Sequence, residues 1–140
     1  MLDDVLINKI AIIERCMIRI REEYTATDDF AHDYSHQDAA ILNIQRACEA
    51  ALDMGQHLIF RERLGVPQSA RDVFTLLAQA GWINETLATN LKNMVGFRNI
   101  AVHAYQTLQL PVVEYIINER LNDFLQYTAA IVRKINATQT

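Results

Sequence analysis

Apolar residues near the start of the chain, Leu6, Ile10, Ile13, Met17, Ile20 and Tyr24, recur at alternating steps of four and three. That period lays one stripe along a helix and predicts an α-helix from about Leu2 to Tyr24, packed at a shallow angle against a neighbour. A polar link from Thr25 to Asp29 leads into His32-Asp33-Tyr34-Ser35-His36, where Ser35 with Asp38 predicts the N-terminal cap of a second helix. This helix should reach about Phe60. Its inner face, Ile41, Ile44, Cys48, Ala51, Leu52, Gly55 and Leu58, is smaller than the first stripe, so another helix can approach closely.

Gly65-Val66-Pro67-Gln68-Ser69 interrupts the pattern: Pro67 restricts Val66, and Ser69 caps a short helix carrying Val73, Phe74, Leu76 and Leu77 that ends near Gly81-Trp82. Asn84 caps the next helix, with Glu85 in its first turn and Leu87, Leu91, Met94 and Val95 along it. Pro111 opens the last helix, where a missing N–H does no harm. Its stripe of Val113, Ile117, Leu121, Phe124, Thr128, Ile131 and Ile135 is long enough to pair with the first helix. With only four glycines and two prolines, the chain reads as all-α. The expected architecture is a four-helix up-and-down bundle with one short accessory helix, in a single domain over residues 1–140.

The composition, 51% hydrophobic and 21% charged, is that of a folded globular domain, with only Ala137 to Thr140 expected to stay outside it. Met1-Leu2-Asp3-Asp4 lacks the basic region of a secretory signal, and no apolar run approaches the roughly 18 residues that span a bilayer. A cytoplasmic protein without a membrane partner is expected. Cys16 and Cys48, at apolar helical positions and without CxxC spacing, read as buried thiols.

A net charge of −4 argues against a broad nucleic-acid-binding surface. The distribution is uneven, however. Between Glu85 and Glu114 there is no acidic residue, while Lys92, Arg98 and His103 fall inside that interval. A phosphate approaching there meets no local repulsion from its own segment, which leaves room for a small phosphate site on an acidic protein.

The candidate chemistry sits in that interval, in Gly96-Phe97-Arg98-Asn99-Ile100-Ala101-Val102-His103-Ala104-Tyr105. Arg98 can hold a phosphate through its fork, His103 can move protons near neutral pH, and Asn99 and Tyr105 can donate hydrogen bonds nearby. These parts suit metal-free phosphodiester cleavage. On one straight helix Arg98 and Tyr105 share a face, whereas His103 points about 140° from Arg98. Either the helix loosens near Ala104 and swings His103 round, or two copies meet across a two-fold axis and complete the site together.

Duller readings stand beside these. Arg98 can bridge the bundle surface, and Tyr105 can be an ordinary half-buried aromatic. His32 and His36, four apart around Asp33, offer too few ligands for a convincing metal site. His57 reads as a partner for the last carbonyls of the second helix, and Arg61, Arg63 and Arg71 as a solvated cluster at the turn that could extend a phosphate-binding track or meet a protein partner.

The run Met94 to Tyr105 resembles the signature of HEPN-domain proteins of the HepT toxin group, which carry R-x-x-x-x-H followed by x-Y. The segment Arg46 to Ile59, the Pro67 link and the helix around Phe74-Leu76-Leu77-Ala78 resemble that group too. The resemblance implies an all-α ribonuclease toxin, active as a homodimer whose arginines and histidines line an interfacial cleft. It also implies a minimal nucleotidyltransferase (MNT) antitoxin that transfers AMP from ATP onto the motif tyrosine. Carried onto this chain, the catalytic pair is Arg98 and His103, Asn99 and Tyr105 support it, and Tyr105 is the modified residue. No metal or other cofactor is implied. The expected reaction is attack of a ribose 2′-hydroxyl on its own phosphodiester, which DNA cannot undergo. Two other readings remain: a non-catalytic subunit that presents nucleotide or surface to a nucleotidyltransferase, and a helical dimer in which the motif is merely a polar interface.

Overall fold

A computed structural model describes residues 1–138. Four long helical stretches and one short helix make up the described chain, and no strand occurs among those residues. Helix α1 spans Asp4–Thr25, α2 Tyr34–Glu62, α3 Ala70–Gln79 and α4 Glu85–His103. The last stretch is α5, Leu110–Tyr115, continued through a π-helical turn, Ile116–Arg120, into α6, Asn122–Thr138. Ala137 and Thr138 thus belong to a helix, and the expectation for Gln139 and Thr140 lies outside the described residues.

Cross-helix contacts give the order of directions. Asp3, before α1, meets His57 and Arg61 near the end of α2, so these two helices are antiparallel. Tyr105, just past α4, reaches Asp38 at the start of α2. Lys134 of α6 lies 5.6 Å over the Trp82 ring before α4. The four long stretches therefore run up, down, up, down, with α3 as the accessory helix. The anticipated partnership of first and last helices is limited: α1 packs mainly on α2, and it touches the last stretch at points such as the 3.3 Å bond that Asn118 Nδ2 donates to the Tyr24 hydroxyl.

The stripes read from the sequence do form the core. Leu6, Ile13, Met17 and Ile20 of α1 are buried, as is the whole inner face named for α2, and so are Val113, Ile117, Leu121, Phe124, Thr128, Ile131 and Ile135. Val113, Ile117 and Leu121 are separated by two successive steps of four, which on a regular α-helix would carry the stripe off the core. The π turn, with its wider i→i+5 loop, absorbs that drift. Small residues on α2 allow the close approach expected of them: a Cβ on Gly55 would lie 2.5 Å from Val73 Cγ1. Cys16 and Cys48 are buried free thiols.

Three helix starts follow local chemistry. Ser69 Oγ accepts from the Asp72 N–H at 3.2 Å, Asn84 Oδ1 from Leu87 N–H at 2.8 Å, and Asp3 Oδ1 from Leu6 N–H at 3.0 Å. The cap expected of Ser35 with Asp38 is corrected. Asp33 caps α2, accepting from the His36 N–H at 3.3 Å, and Ser35 lies within the first turn. A carboxylate just before the helix competes better for that N–H than a serine already inside it.

Asp3 also corrects the reading of His57 and Arg61. Its Oδ2 lies 2.7 Å from His57 Nε2 and 3.1 Å from Arg61 Nη1, and Arg61 donates to the Met1 carbonyl at 2.6 Å. His57 therefore holds the start of α1 rather than the carbonyls of α2, because the antiparallel turn brings those ends together. Burial acts to raise the Asp3 carboxyl, but bonds from His57, the Leu6 N–H and Arg61 outweigh it and hold the pKa at about 2. A depressed carboxyl stabilises above its unfolded value of about 3.9, and that contribution is lost as pH falls toward 2. In acid titration followed by circular dichroism, the wild type should lose about 1–2 kcal/mol more stability between about pH 4 and 2 than Asp3→Asn, which keeps the cap acceptor. Parallel curves for the two proteins would remove Asp3 from this role.

Candidate active site

Helix α4 is buried along Leu87, Ala88, Leu91, Met94, Val95, Phe97 and Ala101, which leaves the polar motif residues to its remaining rim. The helix stays regular through His103. At Ala104 the backbone turns to φ −145° and ψ 44°, and Tyr105–Thr107 form a 3₁₀ turn. The loosening near Ala104 is therefore real, but it comes one residue too late to swing His103. It redirects Tyr105 instead. Arg98 and His103 keep their separation of about 140° round one helix.

Three different environments result. Arg98 points into a crevice of about 230 Å³ between α2 and α3, lined by Glu49, Leu52, Asp53, Gln56 and Ala70. Its Nε is buried without a hydrogen-bond partner. The guanidinium also acts on Cys48, where burial pushes the thiol up to about 12 against the opposing pull of Arg98. His103 and Asn99 are exposed, and neither makes a side-chain hydrogen bond or ion pair.

Tyr105, 42% exposed, lies in a cleft of about 300 Å³ with Tyr34, Gln37, Ile41, Leu110 and Val113, and its hydroxyl donates to Asp38 Oδ1. Burial and then the Asp38 carboxylate push the phenol up to about 12. One protomer thus does not bring Arg98, Asn99, His103 and Tyr105 to one point. Asp38 and the crevice residues Glu49 and Asp53 belong to α2, far away in sequence, and no local signal in the motif could have revealed them.

The same placement corrects the acid-free picture. Along the chain no carboxylate lies between Glu85 and Glu114, yet antiparallel α2 brings Asp38 to Tyr105 and Glu49 and Asp53 to the crevice of Arg98. Two of these are partly engaged: Asp53 pairs with Lys9 at 3.1 Å and Glu49 accepts from Gln45 at 3.1 Å.

A second surface lies on α4. Between α4 and α5 an apolar groove of about 550 Å³ is lined by Met94, Gly96, Phe97, Ile100, Val112, Tyr115 and Ile116, with Asn90, Asn93 and Arg120 at its edges. Ile100, Val112 and Tyr115 are 42%, 47% and 54% exposed. His103, three residues past Ile100, continues that face. Asp123, behind the groove residue Asn90, is a buried carboxyl: Asn90 donates to its Oδ1 at 3.5 Å, Arg120 Nε lies 3.7 Å from Oδ2, which accepts no hydrogen bond, and burial raises its pKa.

The remaining candidates separate cleanly. His32 Nδ1 lies 3.0 Å from Asp29 Oδ2 and His36 Nδ1 2.5 Å from Glu23 Oε2, so each ring pairs with a different carboxylate. No group of three or more His, Cys, Asp or Glu side chains placed to hold a metal occurs among the described residues. Arg61 is tied to Met1 and Asp3 rather than solvated, Arg63 takes the left-handed position ending α2 at φ 56°, and the tip of Arg71 lies across Gly96. No helix among the described residues is long and apolar enough to cross a membrane.

Comparison with known proteins gives this geometry its context. The family model for ribonuclease HepT-like proteins matches residues 8–131. The mRNA nuclease HepT of Shewanella oneidensis is 48% identical over 130 residues, which span 93% of this chain and 98% of that protein. A solved structure of the tri-AMPylated Shewanella oneidensis HEPN toxin in complex with its MNT antitoxin, also 48% identical, superposes with a TM-score of 0.90 over 94% of this chain and 98% of that one. YutE of Bacillus subtilis, a cytosolic protein of unknown function, shares the fold alone, at 14% identity and a TM-score of 0.82 over 95% and 90% of the two chains. With its fold and its sequence in agreement over nearly the whole length, the chain belongs to the ribonuclease HepT-like family.

Proposed function

We propose that this protein is the toxin of a toxin–antitoxin pair: an endoribonuclease of the cytoplasm that needs no metal, works as a homodimer and is silenced by AMP attached to Tyr105. The observation that carries this reading is the intact Arg98-x4-His103-x-Tyr105 motif, with Arg98 and His103 free of any ion pair, in a chain 48% identical to an mRNA nuclease. Arg98 binds the scissile phosphate and stabilises charge on its non-bridging oxygens. His103 takes the proton of the attacking 2′-hydroxyl or gives one to the leaving 5′-oxygen, and two copies can divide those roles. Asn99 orients the phosphate or the imidazole, and Tyr105 shapes the cleft.

The homodimer is supported by the divergence within a single subunit. His103 lies on the face that continues the exposed apolar groove, and burial of Ile100, Val112 and Tyr115 against a second copy would carry the His103 of each subunit toward its partner. The partner is a minimal nucleotidyltransferase, as in the solved complex of the Shewanella toxin. AMP on Tyr105 adds bulk and negative charge beside the site and so excludes RNA.

The test is incubation of unmodified protein with a defined RNA in excess EDTA, with analysis of the fragment termini. Fragments ending in 2′,3′-cyclic phosphate, absent with His103→Ala, are the expected result. Intact RNA from protein of unmodified mass would favour a non-catalytic subunit instead. In parallel, co-expression with the nucleotidyltransferase should add AMP-sized mass to the wild type and none to Tyr105→Phe. Tyr127, fully buried, is no rival acceptor, but Tyr115 is 54% exposed, and AMP found there would sink the assignment.

A further inference from the structure

We propose that Asp38 is the proton acceptor for modification of Tyr105. The inference rests on the reading of Tyr105 as the AMP-accepting residue. The geometry behind it is direct: Asp38, on the exposed second turn of α2, accepts the hydrogen bond of the Tyr105 hydroxyl across the bundle, although the two residues are 67 positions apart. Tyr105 leaves the helical path only because Ala104 breaks α4, and the 3₁₀ turn then aims the phenol at that carboxylate.

The surroundings favour a base rather than a mere tether. The cleft walls are largely apolar or neutral: α5 contributes Leu110 and Val113, α2 contributes Ile41, Gln37 and Tyr34, and Leu108 closes the end. Tyr34 is the other titratable group lining the cleft, and no cation lines it. No positive charge therefore helps the phenol ionise. Burial and the carboxylate hold it at about 12, so almost none is phenolate at neutral pH. A phenol in that state attacks phosphorus efficiently only if its proton departs during the attack, and the group already holding that proton is Asp38.

The Tyr105 oxygen forms a bond to the α-phosphorus of a nucleoside triphosphate presented by the partner. The bond from that phosphorus to the oxygen bridging the α and β phosphates breaks, and pyrophosphate leaves with the electron pair. The phenolic proton passes to Asp38 and then to water. The tyrosyl ester has no hydroxyl left to donate and carries a phosphate negative charge, so it is repelled from Asp38.

The experiment compares AMP transfer to the wild type, Asp38→Asn, Asp38→Ala and Tyr105→Phe by the purified nucleotidyltransferase with ATP, followed by intact mass over time from about pH 5 to 9. Asparagine still accepts the hydrogen bond but is no base. Both Asp38 variants should be modified about 100-fold more slowly than wild type near pH 7, the low end of what a positioned base supplies. The ratio of wild-type to Asp38→Asn rate cancels ionisations within the partner. It should be large near neutral pH and shrink toward alkaline pH, where phenolate forms without help in the variant. Because Asp38 is exposed, circular dichroism should show unchanged folding.

Asp38→Asn modified at the wild-type rate, or a rate ratio that stays constant with pH, would overturn the base role. Undiminished modification of Tyr105→Phe would instead overturn the choice of Tyr105, whatever Asp38 does.

Discussion

Mixing Arg98→Ala and His103→Ala protomers, each inactive alone, is expected to restore about a quarter of wild-type RNA cleavage. The prediction follows from α4 remaining a regular helix through His103, so that one subunit turns Arg98 toward α2 and α3 and His103 outward. If each site takes its arginine from one subunit and its histidine from the other, a mixed dimer retains one intact site of two. Random exchange makes about half of the dimers mixed, hence about a quarter of the activity. Each parent should be deeply impaired. Loss of a positioned acid or base costs about 10²–10⁴-fold, and loss of a group that stabilises transition-state charge about 10²–10³-fold. No recovery on mixing, after exchange has been verified with tagged protomers, would mean that each site is built within one chain.

The second large effect concerns stability. Gly55→Ala should lower the melting temperature by about 5–10 °C, a loss of about 2 kcal/mol, although alanine is the better helix former by about 1 kcal/mol in an open position. Its methyl would lie 2.5 Å from Val73 Cγ1, 3.0 Å from the Tyr127 hydroxyl and 3.2 Å from Leu77 Cδ1. All three neighbours are fully buried, so none can move aside into solvent. Tyr127 is further held by the bond its hydroxyl donates to the Ala51 carbonyl at 2.8 Å and by the edge of Phe74, whose ring centroid is 5.6 Å away. Tyr127→Phe separates the contributions, since it removes only the hydroxyl and should cost about 1 kcal/mol. A melting temperature for Gly55→Ala at or above that of the wild type would show that α3 and α6 have room to shift.

Gly55 also shows how far local pattern reaches. A run of small residues on α2 announced a close neighbour, but not that the neighbours would be Val73 and Leu77 of α3 and Tyr127 of α6. Tyr127 itself stood outside the stripe read for the last helix, because a phenol at such a position is compatible with either side of the surface. The π turn was legible only in hindsight. Two steps of four strain a regular helix, yet the pattern does not say whether the stripe or the helix gives way.

The sequence by itself determined which residues form helices, which faces of them are apolar, and where most of them start, because periodicity and side-chain caps act over three or four positions. It also carried the Arg98, His103 and Tyr105 motif, whose meaning lies in residue types at fixed spacing. Tertiary structure alone decided the partners of those residues. The antiparallel return of α2 along α4 set Asp38 against Tyr105 and two carboxylates near Arg98, and the meeting of chain ends gave His57 and Arg61 to Asp3. Such contacts depend on how rigid helices stack over tens of residues, and no local spacing encodes that.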